Sequence, residues 1–220
     1  LVDSTWYEGG KWNYSFRLLH DMAARIALAG GDDAFVGMLD RFFGFGSDPV
    51  RSRASRPVPT RWRRATPEPL RRLNNEPDME APWSYMYASR PDRTAQVVHD
   101  VVHQQFGTGR GGLPGNDDSG GLSSWYVWAS LGLFPVAGQN LFLLNAPAWR
   151  ESRIDVGGRP LTVETTGFVE PEPGGPAQYV QSVHLDGAPL DRPYLTGTEV
   201  HGGGRLLVGL GPELRVGHDE

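Results

Sequence analysis

The chain has 220 residues, 39% hydrophobic and 10% aromatic, with a formal net charge of −5. That composition can build a core and excludes a disordered chain. With no cysteine, disulfides, thiolate metal sites and cysteine nucleophiles are excluded, and no apolar run approaches the ~18–20 residues that span a membrane.

The first half reads as helices. Met22, Ile26 and Ala29 form one stripe. Phe35, Met38, Leu39, Phe42 and Phe43 form a second, after Gly30-Gly31, with Asp32 or Asp33 as its N-cap. Residues 51–72 then hold eight arginines, four prolines and a single acid. Proline fixes φ and removes donors, so this is a loop. Only Trp62 interleaves with the arginines and the remainder is acidic, so no nucleic-acid partner is expected.

Trp83, Met86 and Tyr87 predict a third helix. Val97, Val98, Val101, Val102 and Phe106 predict a fourth, starting after Pro91 and ending at Gly107. Trp125, Trp128, Ala129 and Leu131 to Leu133 predict a fifth, ending before Pro135. Beyond about residue 138 the period becomes two, at Ile154/Val156, Leu161/Val163 and Leu206/Val208/Leu210. Residues 179–185 run into Asp186-Gly187, a hairpin signal. The expected fold is therefore mainly α with a β-rich C-terminal part.

Two motifs fail on context. Residues 107–112 satisfy G-x-G-x-x-G, but a helix precedes them and Pro114 follows, which is not a dinucleotide site. His99-Asp100-Val101-Val102-His103 places two imidazoles one turn apart, as a zincin helix does. Asp stands where Glu acts as base, and no third ligand is evident.

Three segments combine acids or amides with Gly or Pro and nearby aromatics. They are Trp6 to Tyr14 followed by His20-Asp21, Asn74 to Asp78, and Leu113 to Gly121 followed by Ser123 to Tyr126. Capping of helix starts accounts for an Asp such as Asp117 or Asp118. It accounts poorly for Glu8 among Trp6, Tyr7, Trp12 and Tyr14. A carboxyl among aromatics is desolvated, which raises its pKa and suits a general acid. Clustered carboxylates with amide oxygens suit a hard cation such as calcium.

These residues carry a resemblance. Tyr7-Glu8-Gly9, Trp12, Tyr14 and His20-Asp21 come first. Ala29-Gly30-Gly31, Phe35, Leu39-Asp40 and Phe43 follow, then Asn75-Glu76-Pro77 and Arg90-Pro91-Asp92-Arg93-Thr94. Gly115-Asn116-Asp117-Asp118, Gly120, Ser123-Ser124-Trp125-Tyr126 and Leu131-Gly132-Leu133-Phe134-Pro135 complete the series. In this order and spacing, the chain resembles glycoside hydrolase family 92 over residues 1 to about 150. The strand-rich tail fits that family's C-terminal end.

The resemblance implies a calcium-dependent, exo-acting α-mannosidase that inverts the anomeric centre of a mannose-containing glycan. It implies a helical toroid of six hairpins, an (α/α)6 fold, preceded by a large β-sandwich domain. By that likeness Glu8 is the general acid and Asp118 the general base, with Asp117 a further catalytic residue and Asn116 on the same loop. Trp6, Trp12, His20, Asp21 and Asn116 contact substrate, while Asn75, Glu76 and Asp118 hold Ca2+. Gly10 stands where the pattern carries Asn, and Asn116 where some members carry an acid. It also implies a secreted or extracytoplasmic protein acting in N-glycan degradation.

Twelve helices make such a toroid, and five or six are legible here. The expected domains are therefore 1–137, the C-terminal half of the toroid, and 138–220, a segment of antiparallel strands. The rest of the pocket and the N-terminal domain would lie elsewhere in the same protein, and this chain alone would be inactive. Leu1 opens directly into Val2, Asp3 and Ser4, as in a processed or partial chain. Two other readings remain open: a non-catalytic carbohydrate-binding or scaffold module using the tryptophans, and a toroid glycosidase acting on another sugar.

Overall fold

The computed structural model describes residues 11–17, 19–45, 73–155, 157–172 and 174–213. The arginine-rich loop, Trp6 and Glu8 lie outside the described residues.

The helical layer begins with α1 (Lys11–Ser15), a 3-10 turn (Leu19–Asp21), α2 (Met22–Ala29) and α3 (Asp32–Phe43). Gly30 ends α2 with a left-handed φ of 99°, and its N–H reaches back to Ala27. The N-cap of α3 is Gly31, not Asp32 or Asp33 as the sequence suggested. Those two acids sit inside the first turn, where carboxylates face the positive end of the helix dipole.

The third predicted helix is a 3-10 helix, Ala81–Ala88, rather than an α-helix. Six of its eight residues are buried, so it has no amphipathic face to set a 3.6 period, and its partners fix its path. Trp83 stacks on Phe134 with ring centroids 4.5 Å apart. Ser84 donates to the Phe16 carbonyl and Thr94 to that of Pro82, so these buried hydroxyls are satisfied.

Pro91 opens α4 (Pro91–Gln104), a position where its missing N–H costs nothing. α4 stops three residues short of Gly107. α5 (Gly121–Leu131) stops at Gly132, two residues before the predicted end. Gly132 has φ 74°, and a Cβ there would lie 2.7 Å from the Asn145 carbonyl oxygen. Only glycine fits, and the chain leaves the helix directly into a strand.

The strands are β1 (Leu133–Pro135), β2 (Leu141–Leu144), β3 (Glu151–Ile154), β4 (Leu161–Thr166), β5 (Tyr179–Leu185), β6 (Ala188–Pro189), β7 (Tyr194–Thr196) and β8 (Gly204–Gly211), with α6 (Gly197–Gly202) before β8. They form a three-stranded sheet, β1-β2-β7, and a five-stranded sheet, β3-β4-β8-β5-β6. Asp186 and Gly187 both take positive φ, 48° and 87°, which makes the predicted hairpin turn between β5 and β6. One ladder departs from the antiparallel expectation: β4 and β8 run parallel. β8 returns through α6 and slots between β4 and β5, a crossover that alternation in the sequence does not encode.

Two apolar clusters hold the halves. One gathers Phe16, Leu39, Phe42, Trp83, Val101 and Trp125, and the other Leu133, Leu161, Val163, Leu195 and Leu206. Each fully buried Leu or Phe contributes about 1.5–3 kcal/mol. Across the boundary, Gln96 Nε2 donates to the Tyr179 hydroxyl at 2.9 Å.

Candidate active site

The three motif segments converge. In α1, Asn13 Nδ2 donates to Asp78 Oδ1 at 2.5 Å, which ties the aromatic motif to the Asn-Glu-Pro motif. The third motif lies against the second through glycine. A Cβ on Gly115 would sit 2.0 Å from the Asn74 carbonyl oxygen, so the two backbones touch. Gly121, the first residue of α5, faces Met79 and the Glu76 carboxylate. Its added Cβ would lie 2.9 Å from Met79 Cε and 3.5 Å from Glu76 Oε1. Trp125, one turn along α5, donates its indole N–H to the Met79 carbonyl at 2.9 Å.

Within this cluster Glu76 stands out. Both of its carboxylate oxygens are buried and have no hydrogen-bond partner among the described residues. A buried, unpaired carboxylate is expensive, by several kcal/mol. It is tolerated where a group beyond the described residues supplies the positive charge. Asn75 caps the 3-10 turn Glu76–Asp78, its Oδ1 accepting from the Glu76 N–H at 3.1 Å.

Asp117 is fully engaged. Its Oδ1 accepts the Ser123 N–H at 2.8 Å and its Oδ2 the Ser123 hydroxyl at 2.5 Å. The Ser123 hydroxyl, then its N–H, hold the carboxyl below the usual carboxylate range. Asp117 therefore clasps the first turn of α5. Asp118 is exposed and takes φ 28°, followed by Ser119 at 57° and Gly120 at 81°. Two consecutive non-glycine residues with positive φ are strained, and such strain collects at functional sites. Asn116 is exposed beside them.

Trp12 is half-buried, packed on Phe16 with the Arg41 guanidinium 5.8 Å from its ring centroid. His20 and Asp21 are exposed. Asp21 Oδ1 accepts the Ala24 N–H at 3.1 Å and so caps α2. No hydrogen bond among the described residues joins either to the Glu76 cluster. Glu8 and Trp6, on the same motif as Trp12, lie outside the described residues.

The sequence did not single out Asp78. It is 4% exposed, and burial pushes its carboxyl up to about 7, against the opposing bond from Asn13. Its place two residues after Glu76 was the available signal, but nothing in the sequence says that Pro77 turns it inward. The rejected motifs also resolve. Residues 107–112 close a turn through Gly107 N–H to Gly112 O and Gly112 N–H to Gly109 O. His99 and His103 border a cavity described below. Among the described residues, no group of three or more His, Asp or Glu side chains gathers to hold a metal.

Residues 2–212 match the catalytic domain of glycosyl hydrolase family 92. The chain belongs to this family. A relative in Arthroderma benhamiae, named an uncharacterized secreted glycosidase, is 31% identical over 209 residues, which is 94% of this chain and 24% of the relative. A family 92 α-mannosidase from Bacteroides thetaiotaomicron, solved with mannoimidazole, superposes with a TM-score of 0.75 at 21% identity, over 93% of this chain and 26% of its own. An inverting mannosidase of the same family and organism gives 0.71 at 20% identity, over 94% and 28%. At these identities the likeness is one of fold. The chain spans about a quarter of the length of these relatives.

Proposed function

We propose that this chain is part of a calcium-dependent, exo-acting α-mannosidase that inverts the anomeric centre. The observation that carries the reading is the buried carboxylate of Glu76, unpaired among the described residues and set at the meeting point of three motif segments. Its chemistry fits calcium, which takes carboxylate, amide and backbone oxygens. Glu76, the Asn75 amide oxygen and Asp118 are the donors in this proposal. Bound there, calcium would hold sugar hydroxyls and favour a distorted, oxocarbenium-like ring.

The chain's own residues divide the remaining work. Glu8, among Trp6, Tyr7 and Trp12, donates a proton to the leaving oxygen. Asp118, on its strained exposed turn, takes a proton from the water that attacks the opposite face. Asp117, ionised and held by Ser123, keeps that turn on α5 and is not itself the base. Inversion needs the Glu8 and Asp118 carboxyls roughly 6.5–9.5 Å apart. Trp12 supplies an apolar face for a sugar ring. The substrate is a mannose-terminated glycan, and the site of action is extracytoplasmic, as the name of the secreted relative suggests.

The test uses a polypeptide of the relatives' length and an aryl α-mannoside, with proton NMR of the first product. β-Mannose is expected. Glu8→Gln should lower kcat by about 10²–10⁴-fold, the usual range for a lost general acid, and chelation with EDTA should abolish turnover. α-Mannose as first product overturns inversion, and activity unchanged by EDTA overturns the calcium role. Hydrolysis by the 220-residue chain alone overturns its incompleteness.

A further inference from the structure

The helical layer and the five-stranded sheet do not close completely on one another. Between them lies a cavity of about 530 Å³, within the range of pockets that enclose small organic ligands. Ala95, Val98 and Val102 of α4 form one wall. Phe168 and Val169, in the connection from β4 to β5, and Leu210 of β8 form the other. Ala129 of α5 also borders it. Gly121, which touches Glu76, and Ala129 are eight residues apart, about 12 Å along the helix at its usual rise. The cavity is therefore separate from the candidate active site.

Its polar side chains are His99, His103, Asn145, Gln178, Glu170 and Glu172. His99 and His103, one turn apart on α4, both border the cavity, with ring centroids 4.7 Å apart. His99 Nε2 lies 3.1 Å from the Gly175 carbonyl oxygen, so its second hydrogen-bonding group is committed to the wall. His103 makes no hydrogen bond among the described residues beyond its helix. Burial holds both imidazoles below their ordinary values, with His103 lowered to about 4 by burial and then by its neighbour. Near neutral pH both are uncharged, and His103 offers one N–H and one bare nitrogen. The charged side chains at the cavity are Glu170 and Glu172, which repel anions.

We propose that this cavity is a second binding site, for an uncharged aromatic or alkyl compound that presents one hydrogen-bonding group to the His99–His103 pair.

The probe is N-phenyl-1-naphthylamine, a neutral fluorophore with a single N–H, titrated against the intact protein. Saturable enhancement at one probe per chain is expected. Bound probe should protect the tryptic peptide Thr94–Arg110, which carries both histidines, from carbethoxylation by diethyl pyrocarbonate. Val169 borders the cavity and is 65% exposed, so Val169→Trp adds bulk at the lining without overpacking the core. It should weaken binding at least tenfold with the melting temperature unchanged. Mannose and EDTA should not displace the probe. Non-saturable enhancement, no protection of that peptide, undiminished affinity in V169W, or displacement by mannose would each overturn the proposal. None of these outcomes depends on whether the enzyme hydrolyses mannosides.

Discussion

Asn13 Nδ2 and Asp78 Oδ1 lie 2.5 Å apart although 65 positions separate them in sequence. This bond fixes the helix that follows the proposed acid against the turn that carries Glu76. It also spends burial on a carboxyl that resists ionisation, pushed up to about 7. A raised carboxyl pKa means that the native state holds its proton after the unfolded chain has lost it. Stability is then fullest below the unfolded value near 4 and declines as pH rises through 7.

Asp78→Asn keeps an acceptor oxygen for Asn13 and cannot ionise. Its urea midpoint should exceed that of the wild type by an amount that grows from pH 4 to pH 7 and is constant above. The limit is on the order of 4 kcal/mol, at ~1.4 kcal/mol per pKa unit. A difference independent of pH would mean that Asp78 is ionised throughout.

Gly115 and Asn74 meet backbone to backbone, with 2.0 Å between a hypothetical Cβ and the Asn74 carbonyl oxygen. Gly115→Ala must push the Asn116–Asp118 turn away from Glu76. Thermal denaturation should show a loss of about 1–3 kcal/mol, the usual cost of overpacking. Gly111→Ala, where a Cβ meets nothing within 4 Å, should change little. Equal effects at the two positions would show that the contact between the motifs is not tight.

His103, lowered to about 4, gives a second pH signature of opposite sign. A base whose folded pKa is depressed stabilises the fold above its unfolded value, near 6.5, and loses that contribution as pH falls towards 4. Because Asp78 acts in the opposite sense over the same range, the signature is a difference: the wild-type urea midpoint, relative to that of His103→Gln, should drop between pH 6.5 and pH 4. The measurement is a set of urea melts across this range. An unchanged slope in H103Q would assign the acid limb elsewhere.

Tyr85 is fully buried and donates to Asp40 Oδ1 at 2.8 Å, with Arg93 Nε 3.4 Å from the same oxygen. Tyr85→Phe removes a hydrogen bond to a charged acceptor and should cost about 1.5–3 kcal/mol in chemical denaturation. In Asp40→Asn the same Tyr85 substitution should cost less, because the acceptor is neutral. Equal costs in the two backgrounds would show that the charge on Asp40 does not strengthen the bond.

Regular elements were readable where one face is buried. The valine stripe of α4 and the alternation in β4, β5 and β8 show the right period because one side of each meets the core. The segment Ala81–Ala88 was misjudged for the converse reason. It is buried almost all round, so its hydrophobicity has no direction and Trp83, Tyr85 and their partners choose a 3-10 path. The early ends of α4 and α5 and the parallel pairing of β8 with β4 likewise depend on neighbours distant in sequence.

The sequence by itself determined the family and the order of the motifs, because those are strings of residue types at set spacings. It also determined that Glu76 and Asp117 sit in Gly/Pro turns at helix starts. Only the tertiary structure decided which of these side chains are spoken for. Asp117 is clasped by Ser123 and Asp21 caps α2, whereas the buried Glu76 carboxylate has no hydrogen-bond partner among the described residues. It also decided that Asp78 points inward to Asn13 and that His99 and His103 border a cavity. Burial and hydrogen bonding arise from contacts between residues tens of positions apart, and periodicity within one segment cannot report them.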